Sequence, residues 1–184
     1  MRRPPETLEG PSLVLRRVSA QYASELSSAV ARSLPELRLF MDWAQHDPAT
    51  PEAFAEFLEA SDREWESDRA YGYHVFVAAT DELIGGCGLM RRRGPGAIEI
   101  GYWIHSDHTG RGLATEAAAI LVETAWQLAD VCRIVIRHDS ANPASGRVAE
   151  KLGFHEIDRV AVEITAEGES GIDVIREQFK PEPL

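Results

Sequence analysis

Two features of this sequence could do chemistry. Residues 98–117, IEIGYWIHSDHTGRGLATEA, read as a buried strand, a tight loop holding Gly110 and Gly112, and the first turn of a helix. A helix N-terminus carries unpaired N–H groups and the positive end of the helix dipole. Glycines at that point let an anion approach the backbone. The stretch therefore predicts either a phosphate-bearing ligand or a plain tight turn into a helix. The second feature is Glu99, a charge inside the apolar run AIEIGYWI. A carboxylate in an apolar setting is suited to taking a proton, although strand alternation also allows it to face solvent.

Other chemistries fit less well. No G-x-x-x-x-G-K-[ST] run exists, and Thr115 stands where the dinucleotide fingerprint needs Gly or Ala. His105 and His108 have a spacing that could bind metal, but no partner carboxylate or cysteine pattern supports a site, so no metal is expected. Cys87 and Cys132 sit in apolar strand-like runs and form no disulfide framework, which suits a reducing, cytoplasmic setting. No apolar run approaches the ~20 residues of a membrane span. MRRPPETLEG lacks the apolar segment of a signal peptide. Thirty acidic residues against nineteen basic give a net charge of −11, which argues against nucleic acid or anionic membrane as a partner and favours solubility.

The elements that would position these residues follow from periodicity. A chain of 184 residues with 44% hydrophobic content suits one domain. Residues 1–10 read as a flexible lead-in and 11–180 as the domain. A strand at Leu13 precedes a helix over residues 22–33, which Pro35 interrupts. Thr50 as N-cap and Pro51 at the first helical position start a second helix. YGYHVFVAAT and LIGGCGLMR form a hairpin, and Gly94-Pro95-Gly96 turns into the third strand of the meander. Apolar positions from Ala114 to Leu128 keep helical spacing, VCRIVIR is a buried strand, and Asn142-Pro143 opens a short helix. The tail alternates twice more. The aromatic residues Phe40, Trp43, Phe54, Phe57 and Trp65 read as core, and Arg91-Arg92-Arg93 as a solvated turn. The result is a mixed α/β domain.

Three blocks carry a family resemblance. TGRGLA, residues 109–114, resembles the Q/R-x-x-G-x-G/A loop of the GCN5-related N-acetyltransferases (GNAT), with Thr109 in place of Gln or Arg. NPASGRVAEKLGF, residues 142–154, resembles a second block of that family. With EIGYWI they look like the Rim-type ribosomal-protein N-terminal acetyltransferases, over about residues 13–179. The resemblance implies an α/β (α+β) GNAT-like fold: a mixed, mostly antiparallel, splayed sheet of about seven strands flanked by helices. It implies acetyl-CoA as acyl donor, no metal, and transfer of an acetyl group to a primary amine by direct attack on the thioester. A protein N-terminal α-amine is the expected acceptor. Three rivals stay open: a small amine such as a polyamine, an amino acid or an antibiotic as acceptor; a non-catalytic acyl-CoA-binding or sensing module; and a plain α/β interaction domain with no cofactor. Monomer and homodimer are both allowed.

The resemblance also implies roles. Trp103, Ile104 and His105 would line the pantetheine arm through main-chain groups, and a backbone N–H of that strand would hold the oxyanion. Thr109, Gly110, Arg111, Gly112, Leu113, Ala114 and Thr115 would hold the pyrophosphate. Asn142 would reach the pantetheine, with Ser145 beside it. Arg147 would approach an anionic part of the cofactor or lie on a solvated helix face. Glu99 would be the base. Many family members use a tyrosine after the Asn142 position; this chain has none beyond Tyr102, which leaves Ser145 either as acid or as a cofactor-binding or capping group. Asp42, Trp43 and Tyr71 would help wall the acceptor.

Overall fold

The computed structural model describes residues 2–45 and 50–180. Among the described residues eight strands form one sheet in the order β1-β2-β3-β4-β5-β6-β8-β7. They are β1 Thr7–Glu9, β2 Leu13–Arg17, β3 Ala70–Val77, β4 Leu83–Met90, β5 Ala97–Ile104, β6 Arg133–Asp139, β7 His155–Ala161 and β8 Ile172–Phe179. Four α-helices of the described residues flank it: α1 Ala23–Arg38, α2 Pro51–Glu66, α3 Leu113–Gln127 and α4 Pro143–Lys151. Every strand pair is antiparallel except β5–β6, which is parallel because α3 crosses over between them.

Two expectations change. The sheet has eight strands rather than about seven, because part of the predicted lead-in pairs: Leu8 sits opposite Leu15 and is buried. The Tyr73 phenol donates to the Pro5 carbonyl and the Arg17 N–H to the Glu6 carbonyl, tying this segment down. The first helix also runs through Pro35 instead of stopping there. Proline deprives the Ala31 carbonyl of its helical donor, but Val30, Ser33 and Leu37 are buried on one face and hold the helix past it.

The two sheet faces carry separate cores. Tyr71, Tyr73, Leu89, Ile98 and Ile100 pack with Ala117, Leu121 and Ala125 of α3. Phe76 and Leu83 pack with Leu26, Ala29 and Val30 of α1 and Leu58 of α2. Trp65, expected in the core, is there, stacked edge-on against Tyr71 and Tyr73. Helix starts follow the sequence signals: the Thr50 hydroxyl accepts from the Ala53 N–H at 3.2 Å, with Pro51 behind it.

Leu121 lies fully buried where α3 crosses the sheet. Leu121→Ala should cost about 2–5 kcal/mol, read as a lower urea midpoint at unchanged m. A loss below about 1 kcal/mol would mean that α3 is not seated there.

Candidate active site

The site begins where the parallel pair separates. β5 and β6 are in register from Ala97↔Arg133 to Ile100↔Ile136, and there the pairing ends. β5 continues to pair with β4 as far as Gly85↔Ile104, and β6 with β8 as far as Asp139↔Asp173. The two strands thus splay, and residues 101–104 present backbone groups on their β6 side with no strand partner. Trp103 and Ile104 lie on that stretch as expected, and His105 comes directly after. His105 is buried; its Nδ1 accepts from the Asp107 N–H at 3.0 Å, and its Nε2 has no hydrogen-bond partner.

The glycine loop sits at the open end of the split. Gly110 has φ +73° and Gly112, the N-cap of α3, φ +81°. A Cβ at either position would meet nothing within 4 Å, so these glycines serve the left-handed turn and not a tight space. No side chain caps α3, which leaves the N–H groups of Leu113, Ala114 and Thr115 for an incoming anion. Thr109 directs its hydroxyl to the Ser106 carbonyl at 2.9 Å, so any hold on an anion here rests on backbone amides. Arg111 is exposed beside His108, with Nη1 at 3.3 Å from its Nδ1.

Across the split, Asn142 caps α4, its Oδ1 accepting from the Ser145 N–H at 3.1 Å. This leaves its amide N–H groups for a ligand. The Ser145 hydroxyl lies 3.1 Å from the phenol oxygen of Tyr102. Burial pushes the Tyr102 phenol up to about 12, so it keeps its proton at neutral pH. A phenol therefore does stand beside Ser145, but it comes from before Asn142 in the chain and not after it. Tyr102 belongs to β5, on the same face as Ile98 and Ile100, and the fold delivers it to Ser145. Alternation along AIEIGYWI is the sequence signal that points to it. Arg147 is exposed on α4.

On the other face a cavity of about 610 Å³ opens between the sheet, α1 and α2. Phe40, Trp43, Phe54 and Phe57 line it; their pattern reads as core, but the helices hold them over open space. Trp43 packs on Trp103 with ring centroids 5.9 Å apart. Asp42 is exposed and does not line the cavity. Tyr71 does, but it is fully buried, its ring lies on Trp65, and its hydroxyl donates to Asp68.

Glu99 also lines this cavity, 3% exposed, so alternation turns it inward. Its Oε1 accepts from Arg92 and its Oε2 from Arg93, so the arginine run is not merely a solvated turn. Burial pushes the Glu99 carboxyl up, but the two guanidinium groups outweigh it and hold it below its ordinary value. Asp173 is tuned the opposite way. It lines the same cavity, pairs with Arg137 at 3.0 Å, and is raised chiefly by burial, against Arg137 and with help from Asp139 and Glu169. Among the described residues no group of three or more His, Cys, Asp or Glu side chains could hold a metal, and no helix is long and apolar enough to cross a membrane.

The family model for the acetyltransferase (GNAT) domain matches residues 12–155. The chain belongs to the GNAT acetyltransferase family. Among its relatives, the probable N-acetyltransferase YjcK of Bacillus subtilis is 36% identical over 94 residues, 50% of this chain and 51% of that protein. The chain thus spans about half the length of this curated relative. The ribosomal-protein-serine acetyltransferase of Escherichia coli is 26% identical over 149 residues, 78% of this chain and 79% of that one. The structure of RimL, a ribosomal L7/L12 α-N-protein acetyltransferase solved with coenzyme A, superposes with TM-score 0.86 at 20% identity, over 95% of this chain and 98% of that one. The open sheet with its single parallel pair is the GNAT fold.

The Glu99 pair gives a stability test. Its folded-state pKa is depressed below the unfolded value of about 4.3. The stabilisation is therefore complete above that value and is lost as pH falls through the folded one. Glu99→Gln should be less stable than the parent near about pH 6, and the gap should close toward about pH 3 in urea titrations. Parallel curves would mean that the pair does not form.

Proposed function

We propose that this protein is an acetyl-CoA-dependent N-acetyltransferase acting on a primary amine, with a protein N-terminal α-amine as acceptor. The observation that carries the reading is the β5–β6 split with an uncapped helix start at its open end. The residues present fit the donor. Unpaired strand backbone suits the amides of a pantetheine arm, and the N–H groups at the start of α3 suit a pyrophosphate. Trp103, Ile104 and His105 would hold the arm, residues 109–115 the pyrophosphate, and the Asn142 amide the arm's far side. When bound, acetyl-CoA supplies a thioester carbonyl open to attack by a neutral amine. The E. coli relative named as a ribosomal-protein-serine acetyltransferase supports a protein acceptor, and RimL, named as an α-N-protein acetyltransferase, supports its N-terminus.

The chain's own groups then have distinct tasks. A free α-amine has a pKa near ~8, so the acceptor enters largely as ammonium and must lose a proton. Glu99, expected as the base, has both oxygens committed to arginines, which weakens it as a proton acceptor. Asp173 takes the proton in this reading, directly or through a water, and Glu99 stays ionised as a fixed negative charge beside the acceptor. The Ser145–Tyr102 hydroxyl pair donates toward the departing thiolate, with Tyr102 as the proton reserve. Backbone N–H groups of β5 beyond Ile100 are donors for the carbonyl oxygen.

Calorimetry should detect acetyl-CoA binding, and thiol release should appear when amines are added, peptides being used better than small amines. No binding would overturn the reading, and binding without thiol release would leave a sensing module. Asp173→Asn should lower kcat by about a hundredfold and Glu99→Gln by much less; the reverse order would make Glu99 the base. Tyr102→Phe and Ser145→Ala should each lower kcat with little change in KM for acetyl-CoA, and the double variant should lose little more than either single.

A further inference from the structure

The cavity floor contains a feature that the acyl-transfer reading does not use. Gly72 of β3 stands opposite Gly88 of β4, and Gly88 opposite Gly101 of β5. Residues directly opposite one another project to one face. The three glycines therefore share one face in a row across three adjacent strands, and all three line the cavity. The Val18 side chain lies over Gly72, where a Cβ would come within 3.1 Å of it, so the open part of the floor is at Gly88 and Gly101. All three glycines are only partly buried, whereas their neighbours Tyr71, Tyr73, Cys87 and Leu89 are buried on the opposite face. With strands ~4.8 Å apart the row is about 10 Å long. It ends at Gly101, the first β5 residue past the last β5–β6 pair.

Side chains wall the row on both sides. The register places His74 and Trp103 along one edge, with the Trp103 indole over Gly86 between them, and Ala70, Met90 and Glu99 along the other. The roof is apolar: Phe54 and Phe57 of α2, with Trp43 beside Trp103. Phe57 is 54% exposed and Trp43 39% exposed at the mouth, an unusual placement for large aromatic side chains. Beyond Gly101 the lining includes Asp173, paired with Arg137, and Glu169, whose Oε2 accepts from the Thr165 and Ala166 N–H groups. Glycine inside a strand is destabilising and leaves no side chain to pack. Here Val18, just past β2, fills the space over Gly72, while the atoms nearest a Cβ at Gly88 or Gly101 belong to neighbouring strands and not to a helix. An aromatic-roofed trough whose floor is open at Gly88 and Gly101, with the Asp173 carboxylate beyond the split, complements an amine attached to a bulky apolar body.

We propose that the acceptor is a primary amine whose amine-bearing carbon also carries an aromatic or bulky apolar group, laid over Gly88 and Gly101 with the amine at the split. This rests on the acyltransferase reading above. Such an amine is found at a peptide terminus that begins with Phe or Leu, and also in a free arylalkylamine. The two share the amine and its bulky group, and differ in whether a peptide chain continues from the amine-bearing carbon.

Thiol release from acetyl-CoA tests it with four peptides identical except for Phe, Leu, Ser or Gly at the first position, alongside phenethylamine and ethylamine. The Phe and Leu peptides should exceed Ser and Gly in kcat/KM by at least about tenfold, and phenethylamine should exceed ethylamine likewise. Whichever bulky class is the faster identifies the source. In Gly101→Ala the new Cβ meets only the flexible end of Met90, at 3.1 Å, so the sheet should accept it. That variant should lower the bulky-to-small ratio by about tenfold, and Phe57→Ala, at an exposed position, should lower it in the same direction. Thiol release with Ser, Gly or ethylamine equal to or faster than the bulky acceptors overturns the proposal while leaving the acyltransferase reading intact, as does an unchanged ratio in both variants. Absence of acetyl-CoA binding, or of thiol release with every amine, overturns both.

Discussion

The organising constraint is that β5 cannot pair with β6 beyond Ile100 while each keeps its other neighbour. β5 stays with β4 through Ile104, and β6 stays with β8 through Asp139. A backbone N–H or C=O left without a partner must find one elsewhere. In an ordinary sheet such a gap would be a defect, but here the rest of the chain is arranged around it. On one face, α3 begins uncapped at the open end and α4 brings Asn142 and Ser145 to the rim. On the other, α1 and α2 stand off from the sheet and leave a cavity. In the acyltransferase reading, donor and acceptor approach one point from opposite faces, and the split is the passage between them.

Charge is distributed to suit that passage. At the closed end Glu99 is buried and neutralised by two arginines from the turn that precedes its strand. A buried ion pair of this kind adds little net stability, but removing one partner leaves a stranded charge. Arg91, the first of the run, pairs instead with Asp130 at 2.6 Å and lies over the Tyr71 ring. Asp139 is consumed by structure: it accepts from the Ala141, Ser170 and Gly171 N–H groups and so holds the loop before β8. Asp173, next to it across the strands, is left with a single arginine. Two carboxylates of one cavity thus differ in proton affinity because their partners differ in number.

Much of the site is legible residue by residue. The left-handed turn at Gly110 and Gly112, the Asn142-Pro143 helix start and the strand AIEIGYWI all lie where their local signals place them. The failures have physical causes. Pro35 reads as a helix stop, because its missing N–H is a local cost and the burial that outweighs it is not visible locally. The aromatic residues of α1 and α2 carry the same pattern whether a helix packs on a sheet or stands above a pocket. The partnership of Tyr102 with Ser145 is hidden because chain order does not reveal that a β5 side chain reaches α4.

By itself the sequence determined the local elements and the family. Caps, turn glycines and apolar periodicity act over a few residues, through backbone donors and conformational preference, and need no knowledge of the rest of the chain. Only the tertiary structure decided which groups meet: Glu99 with Arg92 and Arg93, Tyr102 with Ser145, and the three glycines aligned across β3, β4 and β5. Each of these depends on strand register, on where a parallel pair stops or on how a turn folds back. Such features are set by the packing of the whole sheet against its helices, and no single segment encodes them.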